Sequence, residues 1–154
     1  MADVEWPLLV AFHFSVGFAQ KGNKREEISF QEVSGLEVSI ETEELRCGGD
    51  NSTVYHLPKK TKYSDLVLKR AVISKDDSFY KWCKKNLNVA SLSFDIELKS
   101  LFVNLCDNEG NAVKTWMVAG AYPFKWSLGN LDAMKNEIAI ETISLKYQYF
   151  KCIK

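Results

Sequence analysis

Strict alternation between apolar and polar residues recurs along this chain, and this period of two limits the possible folds more than any other feature. Its clearest example is 12–18, where Phe12, Phe14, Val16 and Phe18 share one side. Because successive side chains of a strand point to opposite faces, the pattern predicts a half-buried strand. Strand-like patterns also occur at 28–37, 63–73, 92–105, 113–121 and 137–150. The chain is therefore predicted to be mainly β, as a barrel or a sandwich.

A single segment has helical spacing instead. Phe79, Trp82 and Cys83 recur three and four residues apart, which places them on one helix face. Asp76 or Asp77 precedes them and is a suitable N-cap residue. The spacing predicts one helix that flanks the sheet.

Turn signals separate these segments. Asp107–Asn111 predicts a hairpin turn, and Pro123 is expected to end the strand before it, because proline cannot donate to a ladder. The longest polar, turn-rich stretch is Cys47–Lys62, with a short strand possible at Val54–Leu57. Loops of this length are uncommon in compact domains and usually have a function.

Length and charge indicate a single domain that is not a dedicated nucleic-acid binder. The 154 residues fit one domain, 1–154, with a short N-terminal arm at 1–10 and an extended loop at 46–62. Acidic Asp3 and Glu5 stand where a secretory signal would carry positive charge, so synthesis in the cytoplasm is expected. Twenty basic and twenty acidic residues cancel formally, whereas nucleic-acid binding needs a clustered positive surface.

No motif predicts catalysis, a metal or a cofactor. The two histidines, His13 and His56, are too few for zinc or triad chemistry, and no phosphate-binding loop is present. The four cysteines show no Cys-x-x-Cys spacing and are predicted to be free thiols: Cys47, Cys83, Cys106 and Cys152. The chain is therefore predicted not to be an enzyme.

Several short motifs follow one another in an order that is more specific than any one of them. They are Phe30–Glu37 (FQEVSGLE), Gly48–Asn51, His56–Pro58, Leu66–Arg70, the helix with Phe79 and Trp82, Trp116, Ala121–Pro123, Lys125–Trp126, Leu131 and Asn136–Glu141. Together they cover nearly the whole chain and resemble the phage tail tube family, which includes the inner-tube subunits of contractile injection systems. Two positions differ from the family pattern: Ala71 replaces a common glycine, and Tyr147-Gln148-Tyr149 replaces His-Glu-Gly.

The resemblance implies an antiparallel β-barrel with one flanking α-helix, like that of the haemolysin-coregulated proteins. It implies six-fold rings of this chain, stacked into a hollow tube that conducts cargo or DNA inside a contractile sheath. The implied partners are copies of the chain itself, sheath proteins and baseplate proteins, with no direct membrane insertion. The particle would be assembled in the cytoplasm and ejected or released on firing.

Three sets of residues are expected to act in this assembly. The alternating acidic row is predicted to face the lumen: Glu37, Ser39, Glu41 and Glu43. By resemblance, the long loop is predicted to reach the next ring through Gly48, Gly49, Asp50, Asn51, Lys59, Lys60 and Lys62. Trp6, on the N-terminal arm, is predicted to bind a neighbouring subunit, because large aromatics often anchor interfaces.

Other functions remain open from the sequence. The differences at Ala71 and at 147–149 leave open a tube-initiating ring at the baseplate instead of the main tube subunit. A monomeric β-barrel that binds a small ligand would instead show a deep apolar pocket and a single-subunit mass in solution. An enzyme would need a convergent polar cluster.

Overall fold

A computed structural model of the chain describes residues 12–19, 26–49, 52–72, 77–88 and 96–154. Within these residues it contains ten strands and one helix. The strands are β1 (His13–Phe18), β2 (Glu27–Phe30), β3 (Glu32–Ser34), β4 (Val38–Arg46), β5 (Val54–Tyr63), β6 (Leu66–Ala71), β7 (Lys99–Cys106), β8 (Ala112–Leu128), β9 (Ile140–Lys146) and β10 (Tyr149–Cys152). The helix, α1, spans Ser78–Leu87 and lies between β6 and β7 in the chain.

Eight strands form one antiparallel sheet in the order β2-β1-β7-β8-β9-β6-β3, with β10 paired to β8. The 17-residue β8 is long enough to pair with β7 and β10 in its first half and with β9 in its second. No ladder joins β2 to β3 among the described residues, so hydrogen bonds do not close the sheet as a barrel. Only Gln31 separates these two strands, so the chain itself connects the two ends of the sheet. The predicted class, mainly antiparallel β with one helix, is confirmed.

The core contains buried side chains of the main sheet together with three side chains of α1. On β6 the residues alternate between buried and half-buried, with Leu66 and Leu68 facing inward as the period of two predicts. The helix contributes Phe79, whose ring centroid lies 5.8 Å from that of Phe18. Burial of such side chains is worth roughly 1.5–3 kcal/mol each, which holds the helix on the sheet.

The helix starts where the sequence predicted. The side chain of Asp77 accepts a hydrogen bond from the Tyr80 backbone N–H at 2.7 Å, and Lys84 and Lys85 occupy the last turn. These charges complement both ends of the helix dipole. The predicted turn at Asp107–Asn111 is also confirmed, because the Asp107 side chain accepts two backbone N–H groups within it.

The interpretation of Cys47–Lys62 as a long loop with a short strand is wrong. Residues 54–63 form the ten-residue strand β5, which pairs with β4 from Val38↔Tyr63 to Arg46↔Val54. An exposed strand needs no apolar face. The lysines and threonine of this segment therefore give no apolar alternation, which suggested a loop. Cross-strand pairing rather than burial gives this segment its β structure.

Pro123 does not end a strand, as the sequence suggested, because β8 continues through it to Leu128. The ladder between β8 and β9 changes register between Pro123 and Lys125. A proline is tolerated at such an irregularity, because the ladder bond that its missing N–H would make is interrupted there.

In the described part of the segment predicted at 92–105, the strand begins only at Lys99. Leu101 and Val103 are fully buried on β7, and the ladder with β8 shifts its register between Lys99 and Leu101. Ile96 and Leu98 precede the strand and are about half exposed, at 53% and 51%. Leu92 and Phe94 lie outside the described residues.

Candidate functional site

Two strands stand apart from the main sheet. β4 and β5 pair only with each other among the described strands, and we call this unit, residues 38–63, the hairpin arm. All of its described residues are exposed except Tyr63, which is half-buried at the root. The exposed residues include large apolar ones: Val38, Ile40, Leu45, Val54, Tyr55 and Leu57. A two-stranded hairpin is only marginally stable in water, and exposed apolar clusters mark interaction sites.

The root of the hairpin arm rests on the end of the main sheet. The ring centroid of Tyr63 lies 5.8 Å from that of Tyr147 and 5.7 Å from that of Phe150, both in edge-on geometry. The Ser64 backbone N–H donates to the Glu37 carbonyl at 3.2 Å. These contacts help to set the direction in which the hairpin arm leaves the sheet.

Tyr147 links this root to the backbone before β4. Its hydroxyl donates to the Gly35 carbonyl oxygen at 3.1 Å. Burial raises the pKa of Tyr147 to about 12, helped by Tyr63 and the carboxylates of Asp65 and Glu37. The hydroxyl therefore stays protonated at neutral pH and remains a donor.

The variant Tyr147→Phe is expected to lower the free energy of unfolding by roughly 0.5–1.5 kcal/mol, since one hydrogen bond is lost. Amide hydrogen exchange in β4 and β5 should also become faster, because the root holds the arm. Tyr149→Phe is the control: this residue is 37% exposed and makes no bond to the root, so little should change. Equal exchange rates in both variants would contradict the role of Tyr147.

The predicted lumen row lies on and beside β4. Ser39, Glu41 and Glu43 alternate along the strand and are exposed, while Glu37 lies just before it and accepts a 3.4 Å hydrogen bond from the Ser64 hydroxyl. Residues two apart share one face of a strand. Burial of this row inside the subunit would have contradicted a lumen position, and the row is exposed. That it faces a lumen stays a prediction.

The residues predicted for ring stacking are only partly brought together. Gly48 and Gly49 form the turn at the tip of the hairpin arm, where Gly49 has a φ of +100°. Lys59, Lys60 and Lys62 lie on β5 instead of in a loop. Three further predicted residues lie outside the described part of the chain: Asp50, Asn51 and Trp6, the last of which belongs to the N-terminal arm.

A bulge in the hairpin arm places two lysines of β5 opposite one glutamate of β4. Between the pairs Ile40↔Thr61 and Thr42↔Pro58 the register shifts, so that Lys59 and Lys60 lie opposite Glu41 alone. Bulges of this kind bend and twist a hairpin locally. The ammonium of Lys59 reaches the Glu43 carboxylate at 3.3 Å, with both side chains at least half exposed. Exposed pairs of this kind contribute about 0–1 kcal/mol.

A buried charged cluster was missed by sequence reasoning. Arg70 is 3% exposed and binds Glu141, also 3% exposed, and the Asp77 carboxylate at 2.5 Å. Trp126 donates its indole N–H to Glu141 at 3.0 Å. Burial by itself lowers the pKa of Arg70, but the hydrogen bonds to Asp77 and Glu141 raise it above its ordinary value. The signal was present, because Arg70 is in phase with the buried Leu66 and Leu68.

This cluster is structural in its geometry. It ties β6 and β9 to the N-cap of α1, and the guanidinium of Arg70 also lies 5.5 Å from the Phe30 ring centroid. Across the described part of the chain, no three His, Cys, Asp or Glu residues are placed to hold a metal. His13 is half-buried on β1, and His56 is exposed on β5 opposite Glu44. The four cysteines are free thiols, as predicted.

The one described helix, with its ten residues, falls short of the length and apolar character needed to cross a membrane.

The fold and the arm define an antiparallel β protein with one packed helix and a hairpin that lies outside the main sheet. The family model of the T4-like virus tail tube protein gp19 matches residues 10–151. The chain therefore belongs to this family of tail tube proteins, and the resemblance drawn from its motifs is confirmed. A comparison with curated proteins found no match.

Solved structures agree with this assignment. A chain in the extended sheath-tube complex of the extracellular contractile injection system PVC is 26% identical, with a TM-score of 0.72 over 97% of this chain and 95% of that one. A chain in the baseplate of the anti-feeding prophage is 27% identical, with a TM-score of 0.74 over 92% and 91%. Hcp1 from Flavobacterium johnsoniae, 15% identical with a TM-score of 0.51 over 92% and 94%, shares the fold alone.

Proposed function

We propose that this chain forms six-fold rings that stack into the hollow inner tube of a contractile, phage-tail-like injection system. The observation that carries the proposal is the hairpin arm, whose two strands are exposed on both faces and at both edges. A neighbouring copy would cover its apolar residues and satisfy its free backbone N–H and C=O groups. The similarity to chains in a sheath-tube complex and a baseplate supports this role.

The acidic row fits the bore of such a tube. Glu37, Ser39, Glu41 and Glu43 present carboxylates and a hydroxyl to solvent, and a polar surface lets cargo or DNA pass without adhering. The partners are then sheath and baseplate proteins on the outside and at the end of the tube. Assembly takes place in the cytoplasm, and the tube leaves the particle on firing. The chain acts as a structural component without a catalytic role.

A tube-initiating ring at the baseplate is the second candidate, and the similarity to a baseplate chain favours it. The same arm contacts would serve both positions, so ring formation does not separate them. The position along the particle does: antibody labelling of intact particles in electron micrographs would mark the full tube length for a main subunit. An initiator would be marked at one end.

Electron microscopy and light scattering of the purified chain test the proposal directly. Six-fold rings or hollow tubes are expected. A protein that remains monomeric at high concentration, alone and with its baseplate, would overturn the ring. A monomeric ligand-binding module would instead use an apolar pocket, for which the recess of about 260 Å³ between α1 and Trp126 is the candidate, and it would keep a single-subunit mass in solution.

Deletion of Gly48–Ser52 is expected to leave folded rings that no longer stack, because the turn at the tip of the arm reaches the next ring. Circular dichroism would check folding, and tube length in micrographs would report stacking. Glu109→Ala, in the exposed turn between β7 and β8, is the matched control and should form tubes of normal length. Normal tubes from the deletion variant would show that the tip does not join rings.

A further inference from the structure

The two strands of the hairpin arm carry opposite charge. β4 has three carboxylates and one guanidinium, on Glu41, Glu43, Glu44 and Arg46. β5 has three ammonium groups and no carboxylate, on Lys59, Lys60 and Lys62. One free edge of the arm is therefore acidic and the other is basic.

The arm does not neutralise these charges by itself. Lys59 pairs with Glu43 at 3.3 Å, but Lys60, Lys62, Glu41 and Glu44 have no ion-pair partner among the described residues. All of them are exposed, so they are available to another chain. Charges of this kind add little to the stability of one subunit, and they act mainly on the choice and orientation of a partner.

Two copies can bring their arms together in two ways. When β4 meets β4 or β5 meets β5, like charges lie opposite each other, which is unfavourable. When the β4 edge of one copy meets the β5 edge of the next copy, the carboxylates of each β4 lie between two β5 strands that carry ammonium groups. Rotation about an axis along the arm keeps neighbouring β4 and β5 strands antiparallel, because the two strands of each hairpin already run in opposite directions.

We propose that the partner of the acidic β4 edge is the basic β5 edge of the next copy, and that this charge opposition sets the head-to-tail order of subunits around the ring. This inference rests on the proposed ring. Contact between two different edges is heterologous, and it closes into a ring when the rotation permits. Like-charge repulsion at the wrong edges blocks isologous dimers, which would end assembly after two copies.

Three charge variants test the proposal. The all-acidic arm carries Lys59→Glu, Lys60→Glu and Lys62→Glu, and the all-basic arm carries Glu41→Lys, Glu43→Lys and Glu44→Lys. Each alone should form at least tenfold fewer rings than the unmodified chain, by counting in micrographs and by sedimentation. A one-to-one mixture should recover rings that contain both variants in equal amounts by native mass spectrometry. The third variant, with all six changes, has its edges exchanged and should form rings alone.

The control separates a local effect from net charge. Lys81→Glu, Lys125→Glu and Lys135→Glu change the net charge as the all-acidic arm does, but at exposed positions outside the hairpin arm. This variant should assemble alone, and circular dichroism would establish that all variants fold. Rings formed by the all-acidic or the all-basic variant alone, or an equal loss of rings in this control variant, would overturn the charge proposal and leave the ring intact. An unmodified chain and a mixture that both stay monomeric would overturn the ring as well.

Discussion

Arg70→Ala is expected to lower the free energy of unfolding by roughly 3–5 kcal/mol, because it leaves buried carboxylates without their cation. The guanidinium is almost fully buried between Glu141 and Asp77, and no other cation lies within ion-pair distance of either carboxylate among the described residues. The variant also removes the contact with the Phe30 ring at 5.5 Å. Chemical denaturation followed by circular dichroism measures the loss.

The neighbouring Lys69 provides the control for Arg70. It pairs with Glu32 at 3.3 Å, but its side chain is 39% exposed and that of Glu32 is 54% exposed. Lys69→Ala should therefore cost about 0–1 kcal/mol. The double variant Arg70→Ala with Glu141→Ala should cost less than the sum of the two single changes, because it leaves fewer unpaired charges. A loss below 1 kcal/mol in Arg70→Ala would mean that water reaches the cluster.

Gly35→Ala is expected to be the most damaging change at the root of the hairpin arm. The backbone of Gly35 has a φ of +90°, and an added Cβ would lie 1.7 Å from the carbonyl oxygen of Asp65. The left-handed conformation alone costs a non-glycine residue about 1–2 kcal/mol. Since the clash is with backbone, the segment leading into β4 has to move, and the Gly35 oxygen moves away from the Tyr147 hydroxyl.

Two other glycines isolate the cause. Gly49 has a φ of +100°, and no atom of the described residues lies within 4 Å of an added Cβ, so Gly49→Ala measures the conformational cost alone. Gly48 has open space and no positive φ, so Gly48→Ala should change stability by only a few tenths of a kcal/mol. The denaturation midpoint should be highest for Gly48→Ala, lower for Gly49→Ala and lowest for Gly35→Ala. Among these variants, ring formation should fail only for Gly35→Ala. Equal midpoints for the Gly35 and Gly49 variants would show that the contact with Asp65 relaxes freely.

Local patterns predicted the parts of the fold that local chemistry determines. The helix was predictable because Asp77 caps it and Phe79 and Trp82 recur at its period, and its position is confirmed. The turn at Asp107 was predictable because aspartate side chains bond to the backbone a few residues on. Pro123 misled because proline acts on a ladder bond, and only the register of β8 against β9 shows that this bond is interrupted there.

The alternation in the sequence determined by itself that this chain is mainly β, with two faces on most strands. It did not determine what covers each face. The row from Glu37 to Glu43 and the row from Leu66 to Arg70 both alternate, yet the first projects into solvent and the second is buried. Burial depends on contacts between residues far apart in the chain, such as Arg70 with Glu141 and Tyr63 with Tyr147. Only the tertiary structure decided these contacts, because a period of two specifies the direction of a side chain and not its neighbour.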